Sequence, residues 1–179
     1  MDTPRVSPPG ADLPTLLPET VLNRVPTRVR IRALGIDLPV VAPPTGPDHF
    51  PYCNVAEFLP TLSRPGRPGA TYLYAHARAG MFLPLLERSR TNDGQSLLGL
   101  EVEVFTSDRR LFSYEVTEVI RHVASLDSAY RVTAEQLMLQ TSEGPVNTAG
   151  KTVLIAEPRG EAEATAEESQ PTAKPVRCD

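Results

Sequence analysis

The chain has 179 residues, 40% apolar, 22% charged and 6% aromatic, with no Trp and a formal charge of −4; that length can bury one core without help from a metal. Its 19 prolines disfavour a helical bundle, because each removes a backbone donor and breaks a helix interior, and they favour short strands, turns and extended tails. In segment 157–179 six acids (Glu157, Glu161, Glu163, Glu167, Glu168 and Asp179) face only Arg159, Lys174 and Arg177, which leaves −1 on residues 1–156; a body without clustered Lys and Arg has no footprint for nucleic acid.

Residues 1–26 hold six prolines and no sustained period, so they read as an extended linker or wrapping arm. From Arg28 the pattern changes. Val29, Ile31 and Ala33 alternate with Arg28, Arg30 and Arg32, which predicts a strand with one wet face; Gly35 then turns the chain into a second strand over 36–41. Residues 70–76 (ATYLYAH) form the next strand. Met81, Leu85 and Leu86 share one face of a short helix predicted over 81–89. Residues 100–106 and 111–123 alternate on either side of a turn at Ser107-Asp108-Arg109-Arg110, and 137–141 and 152–156 are two further strands. Seven or so strands with one or two short helices indicate an all-β sandwich or closed barrel over residues 27–157. The segment 158–179 has Val176 as its one large apolar side chain and is expected to be a disordered acidic tail.

No apolar run approaches the roughly 18 residues of a membrane span, and residues 1–26 lack the basic start and apolar stretch of a signal peptide. Membrane attachment is therefore expected only through an anchor that this chain does not contain. The two cysteines, Cys53 and Cys178, form no CxxC motif, so neither a zinc site nor a redox pair is indicated. A bond between them would tether the tail rather than staple the core. Cys53 alone reads as a small, partly buried apolar residue. No metal and no cofactor are expected.

Three histidines could carry chemistry. His49 lies in a Pro/Gly loop and His122 near the end of an alternating strand, where polar groups are normally solvated or satisfied. His76 differs, because it ends an apolar strand and opens a loop, the kind of position where a rigid scaffold presents reactive groups. A second strand end, Thr141-Ser142-Glu143-Gly144-Pro145, is made of ordinary turn residues and gains interest only through its pairing with His76.

Taken in order, residues 30–40 (RIRALGIDLPV), 54–58 (NVAEF), 67–76 (RPGATYLYAH), 82–86 (FLPLL), 137–142 (LMLQTS) and 151–156 (KTVLIA) resemble the sortase family. The resemblance implies a closed eight-stranded antiparallel β-barrel and an extracytoplasmic, cell-surface or membrane-associated setting. In that family a His, a Cys and an Arg carry transpeptidation. The thiolate attacks the Thr–Gly bond of an LPXTG-type sorting signal, and an amine acceptor resolves the thioacyl intermediate. His76 matches the family's His, but Ser142 stands where the Cys is expected. Lys151 stands where the Arg is expected, with Arg159 as the alternative for that role. The implied partners are an extended sorting-signal-like peptide and an amine, acting on a monomer.

These departures bear on the chemistry. A Ser hydroxyl cannot form the thiolate that an imidazolium stabilises, so Ser142 would need neutral His76 as base and a carboxylate to orient it. Glu143 and Glu57 are the acids at hand, and neither is diagnostic from its position. Lys in place of Arg loses the planar fork that holds a carbonyl with two donors. A Ser142–Lys151 dyad is a further option. Leu17-Pro18-Glu19-Thr20 spells four residues of an LPXTG-type signal; chance or a pseudo-substrate role would each account for it. Three readings follow: a serine-dependent transpeptidase or hydrolase, a barrel that binds an extended peptide without catalysis, and a structural spacer. The first two require Ser142 and His76 on adjacent strand ends facing one groove, near a separation of about 2.6–3.2 Å or looser, with Lys151 in the same groove.

Overall fold

A computed structural model describes residue 19 and residues 23–45, 51–144 and 148–178. His49 and nearly all of the 1–26 arm, including Leu17, Pro18 and Thr20, lie outside these described residues. Eight strands appear in the order β1 (Pro26–Ile31), β2 (Ile36–Val41), β3 (Ala56–Phe58), β4 (Gly69–Tyr74), β5 (Glu101–Thr106), β6 (Arg110–Val123), β7 (Glu135–Ser142) and β8 (Lys151–Glu163). Among the described residues three short α-helices accompany them: α1 (Leu83–Ser89), α2 (Asp127–Tyr130) and α3 (Ala166–Ser169).

The strands close into one barrel ordered β1-β2-β3-β4-β7-β8-β6-β5. Closure leaves no open sheet edge among them. The ladder is mixed rather than wholly antiparallel as expected, because β2 pairs with β3 and β4 with β7 in parallel. A parallel pair cannot be joined by a hairpin. The long excursion between β4 and β7 therefore contains α1, the β5–β6 hairpin and α2. Its result matters for function: the C-terminal ends of β4 and β7 lie side by side.

Period-2 patterning explains the core. Val29, Ile31, Leu38, Val104, Leu137, Leu139 and Leu154 are nearly fully buried inside the barrel, each contributing about 1.5–3 kcal/mol by burial. On the opposite face of β4 and β7, Ala70, Tyr72 and Met138 join Val153 and Ala129 in a second apolar cluster, flanked by Leu59, Leu62, Leu126 and Val132. The Arg face of β1 is wet as its pattern predicts, and Arg30 and Arg32 both hold Glu103 of β5 (2.7 and 2.9 Å). Gly35, at φ +65°, makes the turn between β1 and β2 that a left-handed backbone requires.

Three expectations need correction. The three-residue β3, in the NVAEF segment, has no alternation long enough to register as a strand, yet it closes the barrel between β2 and β4. The boundary at residue 26 is too late, since Arg24 is already buried and its guanidinium binds Asp108 (2.8 Å) and lies over the Phe112 ring. The described part of segment 158–179, residues 158–178, is ordered rather than disordered. β8 continues to Glu163 as the partner of β6, and Thr165 and Glu168 cap α3 reciprocally. Residues 157–163 are exposed throughout, so backbone pairing holds this extension where no apolar period could announce it.

Candidate active-site groove

The parallel ladder fixes the two strand ends. Tyr74 pairs with Gln140, the Ala75 amide donates to the Gln140 carbonyl (3.1 Å), and the Thr141 hydroxyl donates to the Ala75 carbonyl (3.0 Å). One residue further along each strand come His76 and Ser142. The His76 carbonyl accepts from the Phe82 amide (3.0 Å), which turns the loop toward α1. Between β4 and β7 the Tyr72 hydroxyl donates to the Gln140 side-chain oxygen (2.9 Å). Burial pushes the Tyr72 hydroxyl well above the ordinary tyrosine range, and burial together with Glu57 does the same for Tyr74, so both phenols stay neutral.

His76 and Ser142 each have a partner, but not each other. The His76 ring places Nε2 2.8 Å from the Pro51 carbonyl. A carbonyl oxygen only accepts, so the hydrogen sits on Nε2 and leaves Nδ1 as the basic nitrogen of the neutral ring. Ser142 lies directly opposite Lys151 across the β7–β8 ladder, and Lys151 Nζ donates to Ser142 Oγ (3.1 Å). Among the described residues, no hydrogen bond joins His76 to Ser142 and none joins His76 to a carboxylate.

The two acids considered as orienting groups are engaged elsewhere. Glu57, 1% exposed, accepts the Tyr52 amide (2.8 Å). Glu143 turns toward β6 and β8: its carboxylate accepts the His122 amide (2.8 Å) and the Thr152 hydroxyl (2.9 Å) and lies 2.6 Å from His122 Nδ1. Burial pushes the Glu143 carboxyl up, but those two hydrogen bonds and the charges of His122 and Arg121 outweigh it and hold the group below the ordinary glutamate range. The Glu143 carbonyl accepts from the Arg90 guanidinium (2.8 Å). His122, with φ +62°, is both largely exposed and paired with Glu143, in keeping with a polar residue near a strand end that is solvated and satisfied.

Arg159 does not come to the groove. It lies eight residues beyond Lys151 on β8, about 26 Å at strand rise, and pairs with Glu115 (2.9 Å). As the position opposite Ser142, Lys151 is the residue the fold supplies.

Cys53 is bonded to Cys178, so it is not a free apolar side chain, and the Sγ atoms of both lie within 4.8 Å of a His76 ring nitrogen. Cys178 was invisible as a site residue because it sits 125 positions from Cys53; only the parity of two cysteines hinted at it. No helix among the described residues is long and apolar enough to cross a membrane.

No protein-family model and no curated protein matches the sequence. Solved structures do match the fold. Sortase A of Listeria monocytogenes superposes with a TM-score of 0.62 at 18% identity, over 83% of this chain and 98% of that one. Sortase C-1 of Streptococcus pneumoniae gives 0.59 at 19% identity, over 75% of this chain and 66% of that one. The sortase D5 transpeptidase of Clostridium perfringens gives 0.52 at 16% identity, over 74% and 78%. Identities this low establish the fold alone, and the fold is sortase-like.

Proposed function

We propose that this sortase-like barrel recognises an extended, sorting-signal-like peptide at the cell envelope and holds it in the groove that ends at His76, Ser142 and Lys151, without thiol chemistry. The observation that carries the reading is the Lys151–Ser142 contact at 3.1 Å. Where a transpeptidase of this architecture needs a thiolate beside an imidazolium, this chain offers a hydroxyl already bonded to an ammonium. A Ser hydroxyl is far too weak an acid to ionise there. Among the described residues no carboxylate holds His76 in a base-competent orientation, and its Nε2 hydrogen is committed to Pro51.

The chemistry of recognition follows from the same residues. Lys151 is a point donor suited to a peptide carbonyl. Tyr74 and Gln140, half-buried at the ends of β4 and β7, supply neutral polar groups for backbone amides, while Ala70, Tyr72 and Met138 are buried in the second cluster and only support them. A closed barrel offers no free edge for strand addition, so recognition uses the half-buried ends of β4, β7 and β8 rather than an added strand.

The same 3.1 Å contact favours one second reading, a Ser–Lys dyad. Deprotonated Lys151 would take the Ser142 proton as Oγ attacks a peptide carbonyl, the amide nitrogen would leave as an amine, and an acceptor amine would displace Oγ from the resulting ester. Intact-mass spectrometry separates the two. The chain is incubated with an LPXTG-type peptide library and an amine, beside Ser142→Ala, Ser142→Cys and His76→Ala, with peptide binding followed by calorimetry. Saturable binding without an adduct in the wild type supports the binding reading. A covalent adduct in the wild type that disappears in Ser142→Ala would replace it with the dyad. Absence of saturable binding across the library would remove both.

A further inference from the structure

The C-terminal segment leaves β8, crosses the barrel and finishes beside His76. On the way the Arg28 guanidinium donates to the Glu168 carbonyl of α3 (3.3 Å). Val176 then pairs antiparallel with Cys53: the Cys53 amide donates to the Val176 carbonyl (2.8 Å) and the Val176 amide to the Cys53 carbonyl (3.4 Å). Two residues further on, Cys178 bonds to Cys53. The two cysteines differ in exposure: Cys53 is 7% exposed and packs in the barrel core, whereas Cys178 and His76 are half-buried. Both sulfurs and a His76 ring nitrogen fall within 4.8 Å of one another.

A disulfide that merely tethers a tail gains nothing from an imidazole at its side. An imidazole there changes the chemistry, because it can stabilise a departing thiolate and return its proton. The Pro51 carbonyl holds the ring in place through Nε2 and itself lies 3.7 Å from Cys178 Sγ.

We propose that Cys53–Cys178 is a thiol–disulfide exchange site served by His76, with an external dithiol as its reaction partner. One thiol of the dithiol gives its proton to His76 as its sulfur attacks Sγ of Cys178, the more exposed of the two residues; the Cys53–Cys178 bond breaks, and the departing Cys53 thiolate takes that proton from the His76 imidazolium. The second thiolate of the dithiol attacks its own sulfur in the mixed disulfide and releases Cys178. The dithiol is oxidised by two electrons to its disulfide, and the protein is reduced to two thiols. Reduction leaves residues 171–178 held at the site by the two Cys53–Val176 backbone bonds, so the redox state sets how firmly this strap lies against His76. The inference stands independently of peptide recognition.

The test uses the full chain without denaturant and dithiothreitol as the dithiol, at pH 7. Released thiols are trapped with iodoacetamide over time and counted by intact mass, for the wild type, His76→Ala and His76→Asn. The expected result is reduction of the folded chain, with one thiol alkylating about five- to tenfold faster than an unperturbed cysteine, and loss of that excess in whichever histidine variants keep the disulfide and the wild-type circular dichroism. Hydrogen exchange at the Cys53 and Val176 amides should quicken on reduction while β7 and β8 stay protected. Reduction only after unfolding, equal alkylation rates in the wild type and the histidine variants, or unchanged exchange at Cys53 and Val176 would each overturn the proposal.

Discussion

The adjoining ends of β4 and β7 are built from the same parallel ladder but secured by different means. On the β4 side, His76 is flanked by a disulfide that reaches across 125 positions of sequence and by a single backbone carbonyl. On the β7–β8 side, Ser142 and Glu143 sit in a non-covalent web of Lys151, His122, Thr152 and Arg90. The ladder sets where the two residues stand. The surrounding loops then decide what each can do, and here they give each residue a partner of its own. Geometry that in a thiol enzyme would join a base to a nucleophile instead separates an imidazole lying beside a disulfide from a Lys-bound hydroxyl.

Removing the disulfide should produce the largest effect, because it acts on one half alone. Cys178→Ser leaves the barrel ladder intact but frees a long loop in the unfolded chain, which should cost about 2–5 kcal/mol, read from the denaturant midpoint at constant slope. A loss no larger than that of an ordinary surface substitution would show that the covalent half is not the firmer one. Glu143→Gln should come next. It replaces a carboxylate, 6% exposed at its side chain, that accepts two hydrogen bonds, and a cost of about 1–3 kcal/mol follows from the weakened acceptor. Because the Glu143 carboxyl is held below its ordinary range, the stability it contributes is complete above the unfolded glutamate pKa of about 4.3 and is lost as the pH falls through the lower folded value. The gap between wild type and Glu143→Gln should therefore narrow in acid, and a gap that stays constant from pH 7 to pH 3 would remove the carboxylate from that role.

How much of this was legible differs between the halves for a physical reason. Alternation placed β1, β2, β4, β5, β6, β7 and β8, because those strands each have a buried face and the period of two survives in the residue types. β3 is too short to alternate, and the outer part of β8 is exposed on both faces, so neither carries a pattern. Thr165 and Glu168 did spell a capping box, a local signal in a segment whose composition argued for disorder. At the site, His76 stood out as a strand end, whereas Ser142 and Lys151 came from the family resemblance; their roles belong to the proposal, and the structure adds that the two face each other across the β7–β8 register. The Glu143–His122 pair and the approach of Cys178 to His76 were not legible, since each depends on side chains meeting across strands or across nearly the whole chain.

Lys151→Met sharpens the comparison at the level of binding. It removes the donor from Ser142 Oγ while keeping the aliphatic length, and Ser142 is half-buried, so water replaces part of the bond and the stability change should be about 1 kcal/mol or less. Peptide affinity should fall several-fold, about the worth of one charge-assisted hydrogen bond lost partly to solvent. Affinity equal to the wild type, measured by calorimetry, would place the peptide away from the β7–β8 end.

The smallest effect is expected at Arg159, and its smallness is informative. This residue is the alternative occupant of the arginine role in a sortase-like site, yet it pairs with Glu115 with half its side chain exposed (50%), on the solvent-facing extension of β8. An exposed ion pair restrains two long side chains for a weak, screened attraction, so Arg159→Ala should leave the unfolding midpoint and peptide affinity unchanged within error. Paired with Lys151→Met, it asks one question of two cations on the same strand. If Arg159→Ala weakened the peptide and Lys151→Met did not, the groove would have to extend along β8 toward the β6 turn rather than end at Ser142, and the division of the site into a strapped half and a Lys-bound half would fail with it.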